Sequence, residues 1–452
     1  MRSVVARAPS PALGIAVVGL TGVITALARI GGDLLWLDAV GRALTSGVGV
    51  ANGLPYAALP TDGWPNVPAL AELVIHAVRA AGGDRGVLAL HVACVCAALT
   101  VLARDARRHA APGAVAALLV VLVIGASTTL LIIRVSLFSI LLMPVLLGLL
   151  RAEAQQPSRR IWLVVPLLAL WSNLHGAALL GVAVLGGYLL LSRLRVEPGT
   201  AGLVAAASLL ALCLTPALGQ TPHYYWRALH NEAAQQHVGL WARLSLHNVP
   251  DVLFLVAALT LLALAVRGQA RLWEWAVLTG LAVLTATAAR HGVWLLMAAL
   301  APAARGLRPL ADSAEPSRGR PSPAVAGALL AGVLLLILGL ARGPAPSGAT
   351  GGLLTTTISA AGGEPVLAEG QLGEQLAAVG GRVWITNPLD AFRPADQRWF
   401  IQWSEDGTPS RIPPSTRVVL VLRDSPPARA LRGDPRFREE AHDERALLFV
   451  RR

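Results

Sequence analysis

Apolar stretches of helical length recur along this chain from residue 11 to residue 341, and nothing else in the sequence constrains its fold as strongly. A helix needs about 20 predominantly apolar residues to cross the ~30 Å hydrocarbon core of a bilayer. Inside lipid every backbone N–H and C=O must find a partner within the protein, so long apolar runs become helices. Runs and breakers predict spans near 11–30, 86–103, 113–133, 135–150, 161–172 and 174–192. Further spans follow near 201–216, 251–266, 273–289, 292–304 and 323–341, about eleven in all. Composition agrees, because 55% of the 452 residues are hydrophobic and 14% are charged. A soluble domain is about a quarter charged, so a water-soluble protein is excluded. The first run is too long for a signal-peptide core and lacks a small-residue cleavage site, so it reads as a retained helix.

All 38 basic residues are Arg, and the formal net charge is +12. They are scattered between apolar runs instead of gathered on one face, which argues against a nucleic-acid partner. Their order tracks topology. Arg2 and Arg7 precede the first span, and Arg104, Arg107 and Arg108 follow the second. Arg151, Arg159 and Arg160 precede the fifth, while Arg193 and Arg195 follow the sixth. Arg267 and Arg271 separate the eighth from the ninth, and Arg305, Arg308, Arg318 and Arg320 precede the last. Under the positive-inside rule these are cytoplasmic, which puts the N-terminus inside and the tail outside. As one helix, residues 161–192 would be about 48 Å long, too long for the core. Two half-crossing helices turning at 173–176 preserve the alternation.

This topology collects polar features on one side. The first outer loop, about 31–85, carries Asp33, Asp38, Asp62 and Glu72. Arg134 stands at the next outer tip, Trp171-Ser172-Asn173-Leu174-His175-Gly176 at another, and Arg290 and His291 at a third. The loop about 217–250 is rich in Tyr, Trp and His. Charged and imidazole groups at membrane depth are costly and usually functional. Residues 305–322 read as a cytoplasmic linker and 342–363 as a flexible exit from the membrane. Beyond it, strands at 383–386, 418–422 and 447–450 and helices at 394–404 and 426–433 predict a small α/β unit. The expected organisation is therefore an all-α polytopic membrane domain over 1–341 and an extracytoplasmic α/β domain over 342–452. No repeat of fixed period is visible, which weakens an inverted-repeat transporter reading. Cys94, Cys96 and Cys213 lie in apolar runs without ligand partners and read as buried thiols.

Asp33-Leu34-Leu35-Trp36, followed by Gly41-Arg42, resembles the opening outer-loop motif of a poorly characterised group of bacterial polytopic proteins. That group looks like part of the GT-C glycosyltransferase superfamily. It shares a Trp and helix start similar to Trp64 through Glu72, and an Arg-led stretch like Arg134-Val135-Ser136-Leu137-Phe138-Ser139. A Trp-x-Asn-Leu-His-Gly stretch matches 171–176, and an Arg-led late span matches Arg290 onward. Asn387-Pro388-Leu389-Asp390-Ala391-Phe392 resembles a tail motif of some members. Leu37 stands where the group commonly has His, and Val135 where Pro is usual.

The resemblance implies a bacterial plasma-membrane protein that uses a polyprenyl-phosphate sugar and places a first-loop acid at the reaction centre. Asp33 would then be the base, with Asp38 the second candidate, because an acceptor hydroxyl needs a carboxylate to take its proton. Arg134 and Arg290 would hold the phosphate, for which Arg is suited. Asn173, His175 and His291 would donate hydrogen bonds or orient the sugar. No cofactor or metal is assigned, although a divalent ion stays open, and protein partners are unknown. By residue type alone, Asp33 also suits the start of a loop helix over 34–44. Asp38, Asp62 and Glu72 suit solvated positions, Asn173 and His175 the backbone of a broken helix, and Asn387 and Asp390 a turn. The aromatics at 224–226 and Trp241 suit membrane-interface anchors. Two other classes remain beside the transferase: a flippase or transporter of lipid-linked sugars, and an envelope assembly protein.

Overall fold

A computed structural model describes residues 11–47, 53–61, 63–307, 323–345 and 348–452. Arg2, Arg7, Asp62, Arg308, Arg318 and Arg320 lie outside the described residues. The chain opens with α1 (Pro11–Leu27), β1 (Arg29–Ile30), α2 (Asp33–Thr45) and α3 (Ala69–Ala106). It continues with α4 (Pro112–Gly125), α5 (Ser127–Leu130), β2 (Ile132–Ile133) and α6 (Leu137–Gln155). Next come α7 (Val164–Leu174), α8 (Ala178–Leu191), α9 (Pro198–Leu212), α10 (Thr221–Leu229) and α11 (Glu232–Gln236). After these, α12 (Val249–Arg267), α13 (Leu272–Thr287), α14 (Gly292–Gly306) and α15 (Pro323–Arg342) lead to the C-terminal unit.

Among the described helices, Ala69–Ala106, Leu137–Gln155, Ala178–Arg195 and Val249–Arg267 are long and apolar enough to cross a membrane. Shorter apolar helices accompany them, among them α1, α4, α9 and α13. Two runs expected to stay helical do not. The first stops at Leu27 and the third breaks after Gly125; a short strand follows each. Those strands pair in parallel, Arg29 with Ile132 and Ile30 with Ile133, so backbone groups freed by the helix breaks satisfy one another. The predicted division of 161–192 is present, with α7 ending at Leu174 and α8 beginning at Ala178, but the second piece, Ala178–Arg195, is long enough to cross a membrane and is not a half-crossing helix. The first outer loop is shorter than expected, because helix begins at Ala69 and kinks at Gly83, where φ is 58°.

Small residues let the apolar helices approach closely, as van der Waals packing in lipid requires. A Cβ at Gly22 of α1 would strike the Gly332 carbonyl of α15, and one at Gly306 of α14 would strike the Leu264 carbonyl of α12. Charge also joins helices. Arg151 of α6, only 3% exposed, bonds Asp105 of α3 at 2.7 Å, Glu274 of α13 at 3.2 Å and the Ala298 carbonyl of α14 at 2.7 Å. Arg193 is likewise buried against Glu153 at 3.2 Å and Glu197 at 3.0 Å. Two arginines expected to mark only the cytoplasmic side therefore also neutralise buried acids.

The C-terminal unit has a four-stranded sheet in the order β3 (Leu367–Ala368), β4 (Val418–Leu422), β6 (Ala446–Arg451), β5 (Phe437–His442). β3 and β4 are parallel, and the other pairs are antiparallel. Helices α16 (Gly351–Ala361), α17 (Gln371–Ala378), α18 (Pro394–Asp406) and α19 (Pro426–Arg432) accompany it. Residues 418–422, 447–450, 394–404 and 426–432 adopt the predicted states. Residues 383–386 do not form a strand; Val383 makes isolated bridges to Val366 and Ala57. Nor is 342–363 a loose exit. The Ala345 N–H bonds the Ala28 carbonyl, and the Thr350 side chain caps α16 by accepting from the Leu353 N–H.

Candidate functional site

The parallel ladder builds the site. The Gly31 N–H continues it with a 2.9 Å bond to the Ile133 carbonyl, so the chains leaving both strands run side by side. Asp33 then opens α2 as Arg134 leaves β2, and Arg134 Nε donates to both Asp33 oxygens at 3.1 Å. Gly31 is required by this closeness, since a Cβ there would come within 3.0 Å of the Arg134 side chain and the Asp33 carboxylate. Residues 101 apart in sequence thus meet as a half-buried ion pair.

The break between α7 and α8 supplies the next groups. Trp171 Nε1 donates to Ser139 Oγ at 2.7 Å, and Ser139 Oγ bonds His175 Nδ1 at 2.7 Å. Ser139 Oγ accepts the indole N–H, and its bond to His175 Nδ1 runs in the direction that the imidazole tautomer sets. Gly176 lies against the Tyr224 hydroxyl. Arg290, in a single turn of 3-10 helix at Ala289–His291, stacks its guanidinium over Trp241 at 4.4 Å. It senses the charges of Arg134 and Asp33, and His175 senses both arginines. Asp33, Arg134, His175 and Arg290 therefore share one electrostatic neighbourhood.

The remaining predicted residues sit differently. Asp38 is 6% exposed, not solvated, and pairs with His76 at 2.9 Å and Arg79 at 2.7 Å. It opens onto a cleft of about 470 Å³ that Asp84 and Ala378 also line. Five residues of helix separate it from Asp33, so the two carboxylates diverge by ~140°. Glu72 is fully buried instead of superficial, and Asn66 Nδ2 donates to it at 2.7 Å. Asn173 Nδ2 is committed to the Ala169 and Leu214 carbonyls at 2.8 and 2.6 Å, satisfying a broken helix end. His291 lies edge-on to Trp241, with ring centres 6.3 Å apart. Trp226 is exposed as an interface anchor would be, whereas Tyr225 is buried. Cys94 is a buried free thiol, and Cys96 and Cys213 are partly buried ones. Among the described residues, no three His, Cys, Asp or Glu side chains form a group that could hold a metal ion.

The C-terminal unit closes over the same residues. Arg42 of α2 donates to the Ala378 and Ala377 carbonyls at 2.7 and 2.9 Å, capping α17. Tyr56 OH donates to the Asn387 carbonyl at 2.9 Å, and Trp64 Nε1 to Asp390 at 3.1 Å. Asn387 and Asp390 thus anchor the first loop instead of only shaping a turn. Arg227 reaches the Ala391 carbonyl, and Arg398 pairs with Glu232 at 2.6 Å, so the 217–250 loop is tied in as well. The tail therefore touches both loops. Glu374 of α17 is 2% exposed and receives the Asn387 amide. Burial first, then the Asp33 charge, pushes its carboxyl up to about 8, although Asn387 and Arg134 oppose the shift. Burial also raises Asp390, against the Trp64 hydrogen bond. Ser139 was findable within the Arg134-led motif, but Glu374 carries no local signal.

This is the architecture of a mostly helical, multi-pass membrane protein with a small sheet unit near its C-terminus. Its likeness is to the crystal structure of ArnT from Cupriavidus metallidurans bound to undecaprenyl phosphate. The TM-score is 0.55, with 97% of each chain covered at 13% sequence identity. The shared feature is the fold. No protein-family model matches the chain, and no curated protein matches its sequence.

Proposed function

We propose that this protein is a glycosyltransferase that moves a sugar from a polyprenyl-phosphate-linked donor to an acceptor on the extracytoplasmic face. The observation that carries the reading is the Asp33–Arg134 pair beside Arg290, in a fold like that of a protein solved with undecaprenyl phosphate. Residues 1–341 would form the membrane domain and 342–452 an extracytoplasmic one, with the N-terminus in the cytoplasm of a bacterial cell.

Arg134 engages Asp33 through Nε, which lets its terminal nitrogens turn to a phosphate together with Arg290. The acceptor oxygen attacks the anomeric carbon, and its proton passes to the Asp33 carboxylate. The bond from that carbon to the phosphate oxygen breaks, and its electron pair leaves with the phosphate. The two guanidinium groups stabilise the charge that develops there. His175 Nε2 would orient a sugar hydroxyl. Asp38, His291 and Asn173 stand further from this chemistry, in ion-pair, aromatic and backbone contacts.

Lipids that co-purify with the detergent-extracted protein test the reading by mass spectrometry. A polyprenyl phosphate or its sugar adduct should be enriched and then lost in Arg134→Ala/Arg290→Ala. Asp33→Asn should keep the lipid and abolish transfer, with chelator added in the same assay to read any divalent-ion requirement. Bulk phospholipid alone in both proteins would overturn the reading. Lipid scrambling that survives Asp33→Asn would replace it with a flippase.

A further inference from the structure

We propose that Glu374, delivered by the C-terminal unit, is a positioning residue of the Asp33–Arg134 site. The inference deepens the transferase reading by giving the tail a part in the chemistry, and it rests on that reading only for the reaction itself.

The geometry is specific. Gly31 and Gly32 are consecutive; the Asp33 carboxylate lies against the first, and the Glu374 carboxyl against the second. A Cβ at Gly32 would occupy the place of the Glu374 carboxyl. Glu374 Oε1 receives the Asn387 amide, while Oε2 is buried and has no hydrogen-bond partner among the described residues. Burying a polar oxygen without a partner is costly, so its retention at the mouth of α2 calls for a reason. Arg42 holds α17 in place by capping its last carbonyls, and the Tyr56 and Trp64 bonds hold the following loop. Among the described residues, the charged and titratable groups whose fields reach Glu374 are Asp33, Arg134 and the Tyr56 phenol.

A neutral Glu374 leaves Arg134 to Asp33 and to an incoming phosphate. Once ionised, it adds a second carboxylate that competes for the same guanidinium. The site then has an alkaline limit set by a residue outside the helical bundle, and transfer should fall about tenfold per pH unit above that limit.

Infrared titration of the detergent-purified full-length protein tests this without any substrate. The difference spectrum between wild type and Glu374→Gln should isolate one protonated-carboxyl stretch that titrates near pH 8. Asp33→Asn should lower its midpoint and Arg134→Gln should raise it, each by about one unit. A midpoint unmoved by both variants, or a difference spectrum with no carboxyl stretch titrating near pH 8, would overturn the proposal. In the transfer assay, Glu374→Gln should lose the alkaline limb, and a variant that keeps it would also overturn the proposal. If the purified protein carries no polyprenyl lipid, the transferase reading fails while the infrared shifts still decide the role of Glu374.

Discussion

Burial and pairing of single side chains separate the acids that sequence position had grouped together. Asp33, Asp38 and Glu72 come from α2 and the start of α3 and Glu374 from the tail, yet the first pairs with Arg134, the second with His76 and Arg79, and the third with Asn66. Only Glu374 is both buried against this site and drawn from the tail. Its raised carboxyl makes stability depend on pH in a defined direction. Between an ordinary value of 4.5 and about 8, the folded protein holds a proton that the unfolded chain has released. Stability therefore falls as pH rises through that window, by at most roughly 1.4 kcal/mol per unit, and levels off above it. Glu374→Gln removes this slope. Melting temperatures measured from pH 5 to pH 8 should show the variant gaining steadily on the wild type, and parallel curves would mean that Glu374 titrates normally.

At the scale of elements, glycines and strand pairs place the site residues. Gly41 lets α2 lie directly on α3, because a Cβ there would meet the Glu72 carbonyl and the His76 Cβ. The backbone carbonyl cannot swing aside as a long side chain can. Gly41→Ala should therefore cost about 1–3 kcal/mol and loosen the helix that Asp33 opens. Gly148 of α6 faces open space, so Gly148→Ala should stay within about 0.5 kcal/mol of wild type. Chemical denaturation of the two variants in one detergent checks the contrast, and equal losses would mean that helix geometry tolerates the extra methyl. The helices were largely legible in the sequence because hydrophobic length is a local property. The β1–β2 ladder was not, since two residues per strand leave no periodicity to read and their pairing joins segments about a hundred residues apart.

Across the whole molecule, the tail is held to both outer loops by many separate polar contacts. Arg42→Met removes the two bonds that cap α17 while keeping an unbranched apolar stem in place of the Arg stem. Hydrogen exchange should then quicken together in 371–378 and in 53–61, which Tyr56 ties to the Asn387 loop. Exchange in α12 and α14, joined through Gly306, should not change. Faster exchange confined to 371–378 would mean that the tail docks in independent pieces. The tail motif at 387–392 was visible as a pattern, but the Trp64 and Tyr56 partners that give it a purpose lie more than 300 residues away.

Hydrophobic length by itself determined that this chain enters a bilayer, because the cost of an unpaired peptide group in lipid leaves helices as the one solution for such runs. The same local logic determined the break at 173–176 and the β4, β6, α18 and α19 segments of the tail. Tertiary structure alone decided that Asp33 meets Arg134, that Asp38 turns to His76, that Arg151 neutralises Asp105 and Glu274, and that Glu374 reaches the mouth of α2. Those outcomes depend on burial and charge compensation between distant segments, and a buried charge finds its partner in space and not in sequence.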